Sequence, residues 1–225
     1  MKVVLTYIFP NTSEAYYGQA FKFLSSYHAN PAGADHETVI CCNGDSPSEE
    51  QAFMFASMPG LQFYHHDNSG YDAGGFQAVA RSHPADMMLF CGSNCYFRRP
   101  GWLARMIEAF KKHGDTLYGT MGNQGHMAVN VFPHVRTTSF WCSTALFNRH
   151  PLKVTQPGQR YEWEHGASGL TTWVMALNKQ PWIITAQGDF PLYICDSAPG
   201  GFQNGNQENL LAGDKNSCPP YYPCE

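Results

Sequence analysis

The sequence predicts an α/β domain with a mostly parallel central sheet that is flanked by helices. In the first half of the chain, short apolar runs alternate with longer segments of near-helical periodicity. Repeated strand, helix, strand order of this kind is typical of an α/β domain with a parallel sheet. The chain has 225 residues and is 43% hydrophobic and 14% charged, so it can bury one sizeable core.

The first half of the chain predicts four strands that alternate with three helices. The β-rich run that opens the chain ends at Pro10 and Asn11, and Thr12 or Ser13 can cap the helix that follows. The third helix is expected to begin after Gly75, since a Gly-Gly pair precedes it. The predicted strands cover residues 2–9, 37–42, 61–66 and 86–91, and the predicted helices cover residues 12–29, 48–58 and 76–80.

The second half predicts a less regular layout. Residues 116–121, 137–148 and 181–186 are predicted strands, and residues 167–177 are a predicted helix. One domain is therefore expected over residues 1–196. Residues 197–225 are rich in Gly, Asn and Pro and are expected to form a loop-like tail.

Composition and charge argue against several classes of protein. The formal net charge is -4 and no basic run is present, so nucleic acid is not an expected partner. Nothing at the start of the chain is typical of a signal peptide, and no apolar segment is long enough to span a bilayer. We therefore expect a soluble, cytoplasmic protein without a transmembrane segment.

Eight scattered cysteines do not form a disulfide framework, and in the cytosol most are expected to be reduced. Cys218 and Cys224 could pair or hold a metal, although a flexible tail with two free thiols is the simpler interpretation. Cys91 and Cys95 have a spacing that suits zinc. That interpretation is disfavoured, because Cys91 is expected to end a buried strand.

Polar residues gather where the predicted strands end. Ligands of parallel α/β sheets bind at the carboxyl ends of the strands, so these residues are candidates for a binding site. Asn43 and Asp45 are also simply good turn residues, and Asp72 could instead be a helix N-cap. The candidates are Thr6, Tyr7, Asn43, Asp45, Asp67, Asn68, Asp72, Ser93 and Asn94.

Four segments in order resemble the GT-A fold, the Rossmann-like fold of nucleotide-sugar glycosyltransferases, and most of all the family 2-type and rhamnan-synthesis F-type enzymes. The resemblance covers roughly residues 1–190 and implies a nucleotide-sugar donor. It implies that Asp72 bonds the base or ribose of that donor. The segments are the opening strand with 43-NGDS-46, then 67-DNSGYDAGGFQAVAR-81, 93-SNCYFRRPGWL-103 and 161-YEWEHGASGLTTWVMALNKQPWIIT-185.

The chain departs from this family at its metal-binding Asp-x-Asp motif, which is degenerate here. Ser93 and Cys95 stand at the two aspartate positions. The family's aspartates bind Mg²⁺ or Mn²⁺, hard cations that prefer oxygen ligands and offset the diphosphate charge. Either such a metal is held otherwise, or a cationic side chain such as Arg98 or Arg99 binds the diphosphate.

The resemblance also implies roles for later residues. Enzymes of this fold sometimes use a late histidine as a metal ligand, so His134 and His165 are candidates, although a surface or hydrogen-bonded structural role is the simpler interpretation of each. Glu162 and Glu164 are candidates for the general base of an inverting transfer. If their segment is extended, both side chains point the same way, and the family pattern favours Glu164, just before the helix.

Two functions are consistent with the sequence. The first is a glycosyltransferase of polysaccharide biosynthesis that moves a sugar to an acceptor hydroxyl on a growing glycan. Without a membrane anchor it would meet a lipid-linked acceptor only at the membrane surface, or it would use a soluble one. The second is a module of the same fold that binds a nucleotide or glycan and has lost catalysis, which the missing aspartates favour.

Overall fold

A computed structural model describes residues 1–126, 128, 130–195 and 207–214. The helices are α1 (Tyr17–Ala29), α2 (Glu49–Met54), α3 (Tyr71–Ser82), α4 (Trp102–His113), α5 (Thr144–Phe147), α6 (Gln159–His165) and α7 (Leu170–Ala176). The strands are β1 (Val3–Asn11), β2 (Glu37–Gly44), β3 (Gln62–His66), β4 (Met87–Cys91), β5 (Tyr96–Phe97), β6 (Tyr118–Gly119), β7 (Gly122–Asn123), β8 (His134–Val135), β9 (Ser139–Cys142), β10 (Trp182–Ile184), β11 (Asp189–Pro191) and β12 (Ala212–Gly213).

The central sheet has eight strands in the order β11-β10-β6-β9-β4-β1-β2-β3. Strands β1 to β4 pair in parallel, and β9 runs antiparallel between β4 and β6. β10 is parallel to β6, and β11 closes the edge in the antiparallel direction. This mostly parallel sheet confirms the predicted α/β class.

Helices cover both faces of the sheet, and alternate residues of β1 explain why. Leu5 and Tyr7 pack in the core on the side of α1, α2 and α4. Val4 and Ile8 pack on the other side, against α3, α5, α6 and α7. A strand that is buried on both faces contains a nearly continuous apolar run. The β1 sequence 3-VVLTYIF-9 is such a run.

The segment 137–148 differs from its prediction as one strand. Only β9 is extended, and the chain then turns into the short helix α5. The hydroxyl of Ser143 accepts a hydrogen bond from the Leu146 amide at 2.9 Å, which caps this helix. Leu146 and Phe147 are both buried, so packing on the α3 face stabilises the helical turn.

Helix α3 begins earlier than predicted, because Gly74 and Gly75 lie inside it. A Cβ at Gly74 would come 1.9 Å from the carbonyl oxygen of Ser69, so only glycine lets the β3–α3 loop fold this closely onto the helix. Gly70, with φ 72°, is the N-cap residue. Asp72 is therefore in the first turn, and its interpretation as an N-cap is wrong.

Residues 207–214 are folded, which differs from the loop expected for the tail. β12 pairs antiparallel with β5, and Leu210 and Leu211 are buried. The buried Asp214 accepts hydrogen bonds from Arg136 at 2.7 Å and Thr138 at 2.9 Å. Cys218 and Cys224 lie outside the described residues, and the domain boundary at residue 196 stays a prediction.

The described part of the chain contains no helix with both the length and the apolar character needed to cross a membrane. Six cysteines fall within it, and all six are buried free thiols.

Candidate functional site

A polar cavity of about 430 Å³ opens at the carboxyl edge of the parallel strands. The end of β1, the start of α1, the β3–α3 loop, the turn after β4 and helix α6 all contribute to it. This is the edge where ligands of parallel sheets bind. The lining comes from Pro10, Thr12, Tyr16, Gln19, Asn68, Tyr71, Asp72, Ser93, Asn94 and Arg160.

A larger hollow of about 660 Å³ lies at the opposite edge of the sheet, between the end of α1 and the start of β2. Tyr27, Pro31 and His36 are among its lining residues. No strand of the parallel sheet ends at this hollow. Topology therefore makes the smaller cavity the candidate functional site.

The β3–α3 loop shapes one wall of the cavity. Asn68 and Tyr71 have positive φ angles of 66° and 55°. Asparagine tolerates this region, but a bulky aromatic residue rarely adopts it, at a cost of roughly 1–3 kcal/mol. The Tyr71 side chain is 41% exposed, so burial of its ring does not account for the conformation. Strain of this kind is common at functional sites.

Asp72 places a carboxylate in the cavity wall from the first turn of α3. A Cβ at Gly92 would lie 3.4 Å from its Oδ2 atom, so the side chain points toward the end of β4. The pKa of Asp72 is raised to about 6, mainly by burial. The charge of Arg160 lowers this pKa, and the charge of Glu164 raises it. These three charged groups therefore share one electrostatic environment.

The turn after β4 directs its first two residues to the cavity and its third residue to the core. Ser93 and Asn94 line the cavity, and the Ser93 carbonyl accepts a hydrogen bond from the Tyr7 hydroxyl at 2.9 Å. Cys95 is buried and forms a thiol–thiol hydrogen bond with Cys91, and burial raises the pKa of Cys91. A residue at position 95 is thus turned away from a ligand in the cavity.

The residues present do not fit the family's Mg²⁺ or Mn²⁺ site. Asp72 is the single carboxylate in the described lining of the cavity. No three His, Cys, Asp or Glu side chains come together anywhere in the described ranges to hold a metal ion, which also leaves the zinc interpretation of Cys91 and Cys95 without support.

The two histidine candidates lie close together beside helix α6. The ring centres of His134 and His165 are 5.5 Å apart, and Nδ1 of His134 lies 2.8 Å from the Phe132 carbonyl oxygen. Burial lowers the pKa of His134. The chain therefore brings this pair together without a third ligand from the described residues.

Glu162 and Glu164 lie on helix α6, so the condition under which both side chains would point the same way is not met. Two residues apart on a helix they point about 200° apart. The carboxylate of Glu162 accepts the Ser168 amide at 2.6 Å and supports the α6–α7 connection. Glu164 is partly buried and accepts the Thr137 hydroxyl at 2.7 Å.

Several sequence candidates lie outside the cavity lining. Thr6 and Tyr7 are buried in the middle of a strand that runs to Asn11. Asn43 is buried, with its Oδ1 atom 2.9 Å from Nδ1 of His66. Asp45 is exposed, and Arg98 lies near Tyr96 on the β5 side. Asn68, Asp72, Ser93 and Asn94 are the candidates that the structure brings together.

Arg160 is the most prominent cavity residue that sequence reasoning missed. Its guanidinium lies 5.6 Å from the ring centre of Tyr71 and 5.1 Å from that of Tyr161. It follows no strand end and sits in no recognisable motif. Only the packing of α6 beside α3 brings it to the site, so no local signal could have identified it.

Solved structures to which this chain is similar include glycosyltransferases. S. aureus TarS matches with 15% identity and a TM-score of 0.48 over 65% of this chain and 48% of that chain. Its complex with UDP-GlcNAc matches with 16% identity and a TM-score of 0.46 over 72% and 53%. Mannosyltransferase PcManGT from Pyrobaculum calidifontis, in complex with GDP-Man and Mn²⁺, matches with 9% identity and a TM-score of 0.50 over 67% and 46%.

The chain spans about half the length of these proteins. No protein-family model matches the sequence, and no curated protein matches it. At identities this low the likeness concerns the fold, and with the eight-stranded sheet it defines a GT-A fold.

Proposed function

We propose that this protein is a glycosyltransferase that binds a nucleotide-sugar donor in the cavity at the carboxyl edge of the sheet. The observation that carries the proposal is the cavity itself. Two of the segments that resemble nucleotide-sugar enzymes supply Asn68, Asp72, Ser93 and Asn94 to its polar lining, and helix α6 adds Arg160. The structures similar in fold include complexes with UDP-GlcNAc and GDP-Man, which supports a nucleoside-diphosphate sugar as the donor class.

The proposed reaction is an inverting transfer to a hydroxyl of a glycan or a lipid-linked glycan. Glu164 takes the proton of the acceptor hydroxyl while its oxygen attacks the anomeric carbon. The bond from that carbon to the diphosphate oxygen breaks, and the nucleoside diphosphate leaves with the electron pair. General-base catalysis contributes about 10²–10⁴-fold.

Helix α6 supports Glu164 as the base. Arg160 and Glu164 are four residues apart and therefore lie on one face of the helix, and Arg160 lines the cavity. Both groups act on the pKa of Asp72, which is consistent with Glu164 facing the same region. Glu162 points elsewhere and is engaged by Ser168.

The two glutamates give a matched test. Nucleoside diphosphate release from UDP-GlcNAc and GDP-Man, with a glycan acceptor mixture, is expected to fall about 10²–10⁴-fold in Glu164→Gln while donor affinity stays within about twofold. Glu162→Gln should keep activity within about threefold, because the glutamine carbonyl can still accept from Ser168. Near-normal turnover in Glu164→Gln would refute the base assignment.

A second candidate function is a non-catalytic module that binds a nucleotide or a glycan. The degenerate turn at Ser93 and Cys95, with one carboxylate in the described cavity lining, is the observation that favours it. Donor binding in calorimetry without any release of nucleoside diphosphate, from the donors above, would select this function over transfer.

A further inference from the structure

A diphosphate leaving group needs a cation beside it, and the cavity contains a cationic side chain on helix α6. Transition-state charge on such a group is normally offset by a metal ion or by basic side chains. The residues described around this cavity do not suit a divalent cation. The same lining contains one Lys or Arg side chain, which is Arg160.

The guanidinium of Arg160 is held in position without forming an ion pair with a described residue. Its Nε atom is buried and has no hydrogen-bond partner among the described residues. No carboxylate oxygen of the described residues lies within 4.0 Å of a guanidinium nitrogen of Arg160. The rings of Tyr71 and Tyr161 both lie within cation–π distance of the group and help to orient it.

Other arginines near the sheet edge are already engaged. Arg99 donates to the backbone carbonyl of Glu208, and Arg105 forms an ion pair with Asp189. Arg136 pairs with Asp214 at 2.7 Å. Binding a phosphate with these side chains would first break an existing interaction, whereas Arg160 has donors available.

We propose that Arg160 binds the diphosphate of the donor and takes the place of the family's divalent cation. This inference rests on the proposed function. The planar guanidinium fork matches two phosphate oxygens, which a lysine does not reproduce. When the bond between the anomeric carbon and the diphosphate breaks, the electron pair stays on the phosphate oxygen, and the N–H groups of Arg160 stabilise that charge.

The position of Arg160 on α6 also relates departure of the diphosphate to removal of the acceptor proton. Arg160 and Glu164 lie one helical turn apart on the same face. One helix therefore positions both the group that stabilises the leaving diphosphate and the group that accepts the acceptor proton. Asp72, across the cavity, experiences both charges.

The test is calorimetric titration with uridine, UDP, guanosine and GDP in EDTA, and again with Mn²⁺. Wild type is expected to bind one diphosphate more tightly than its nucleoside in EDTA. Arg160→Gln should weaken that diphosphate by about 10–100-fold, since a hydrogen bond to a charged group contributes about 1.5–3 kcal/mol. Its affinity for the nucleoside should stay unchanged, and Arg160→Lys should recover part of the loss.

Arg149→Gln is the matched control, because Arg149 is exposed and lies outside the cavity lining. It removes the same charge and should bind as wild type does. Equal diphosphate affinity in Arg160→Gln and wild type would overturn the inference while leaving the proposed function in place. Diphosphate binding that requires Mn²⁺ would also overturn it. Wild type that binds neither nucleosides nor diphosphates would overturn both proposals.

Discussion

Asp72 is a partly buried carboxylate in the candidate site, and we expect its burial to reduce the stability of the fold. Its carboxylate lies in the cavity wall, where burial raises its pKa to about 6. At neutral pH it is charged in an environment that favours the neutral form. Groups perturbed in this way by burial and specific neighbours concentrate at functional sites.

Asp72→Asn is therefore expected to stabilise the fold and weaken nucleotide binding. A rise from about 3.9 to about 6 corresponds to ~3 kcal/mol, and access of water through the cavity mouth reduces this to about 1–2 kcal/mol at pH 8. Because the folded pKa is raised, the wild type loses this stability as pH rises from about 4 through 6. Urea unfolding at pH 8 and pH 4 measures the difference, which should be larger at pH 8.

Asp35→Asn is a suitable control for that experiment, since Asp35 is exposed. It should change the free energy of unfolding by less than about 0.5 kcal/mol. An Asp72→Asn protein that is less stable than wild type at pH 8 would mean that the carboxylate is held by favourable interactions, against the account given for its pKa.

At the scale of elements, Asp189 links α4 to the β11 edge of the sheet. Its side chain is 5% exposed and contacts Arg105, Lys112 and His113, all on α4. Burial by itself would raise the pKa of Asp189, but the hydrogen bonds from these three residues hold it well below its ordinary value. The carboxylate thus stabilises the packing of α4 as long as it is ionised.

Asp189→Asn is expected to destabilise the fold by about 2–4 kcal/mol at pH 7, because removing one partner leaves cations facing a neutral amide. The folded pKa is depressed, so this contribution is present above the unfolded value of ~3.9 and is lost as pH falls below it. Chemical denaturation at pH 7 and pH 3 should show the gap between variant and wild type narrowing at pH 3. A gap below about 0.5 kcal/mol at pH 7 would contradict this role.

Predictions of single elements are correct where the apolar pattern is strong, and they fail where tertiary packing decides the backbone conformation. β1 and β4 are continuous apolar runs, and their strand assignment is confirmed. Helix α6 was not predicted, because 159-QRYEWEH-165 has one buried residue, Trp163, and no amphipathic stripe. Its helical form depends on contacts with α3 and α7, which local sequence does not encode.

At the scale of the whole molecule, the sheet and the edge at which the candidate cavity lies followed from sequence order. Alternating strands and helices imply a parallel sheet, and the sheet implies a binding edge. Asn68, Asp72, Ser93 and Asn94 could be predicted because they follow strands of that sheet. Arg160 could not, because it comes from a helix that reaches the cavity only in three dimensions.

The central claim is that the cavity at this edge binds a nucleoside diphosphate without a divalent cation. The most direct test is the melting temperature with UDP, GDP, dTDP or CMP, each in EDTA and in Mn²⁺. A ligand at about 100 times its dissociation constant stabilises by ~2.7 kcal/mol, or about 5–10 °C for a chain of this size. The account predicts such a rise in EDTA with one of the three nucleoside diphosphates, UDP, GDP or dTDP. A rise that requires Mn²⁺, or no rise with any of the three, would contradict it.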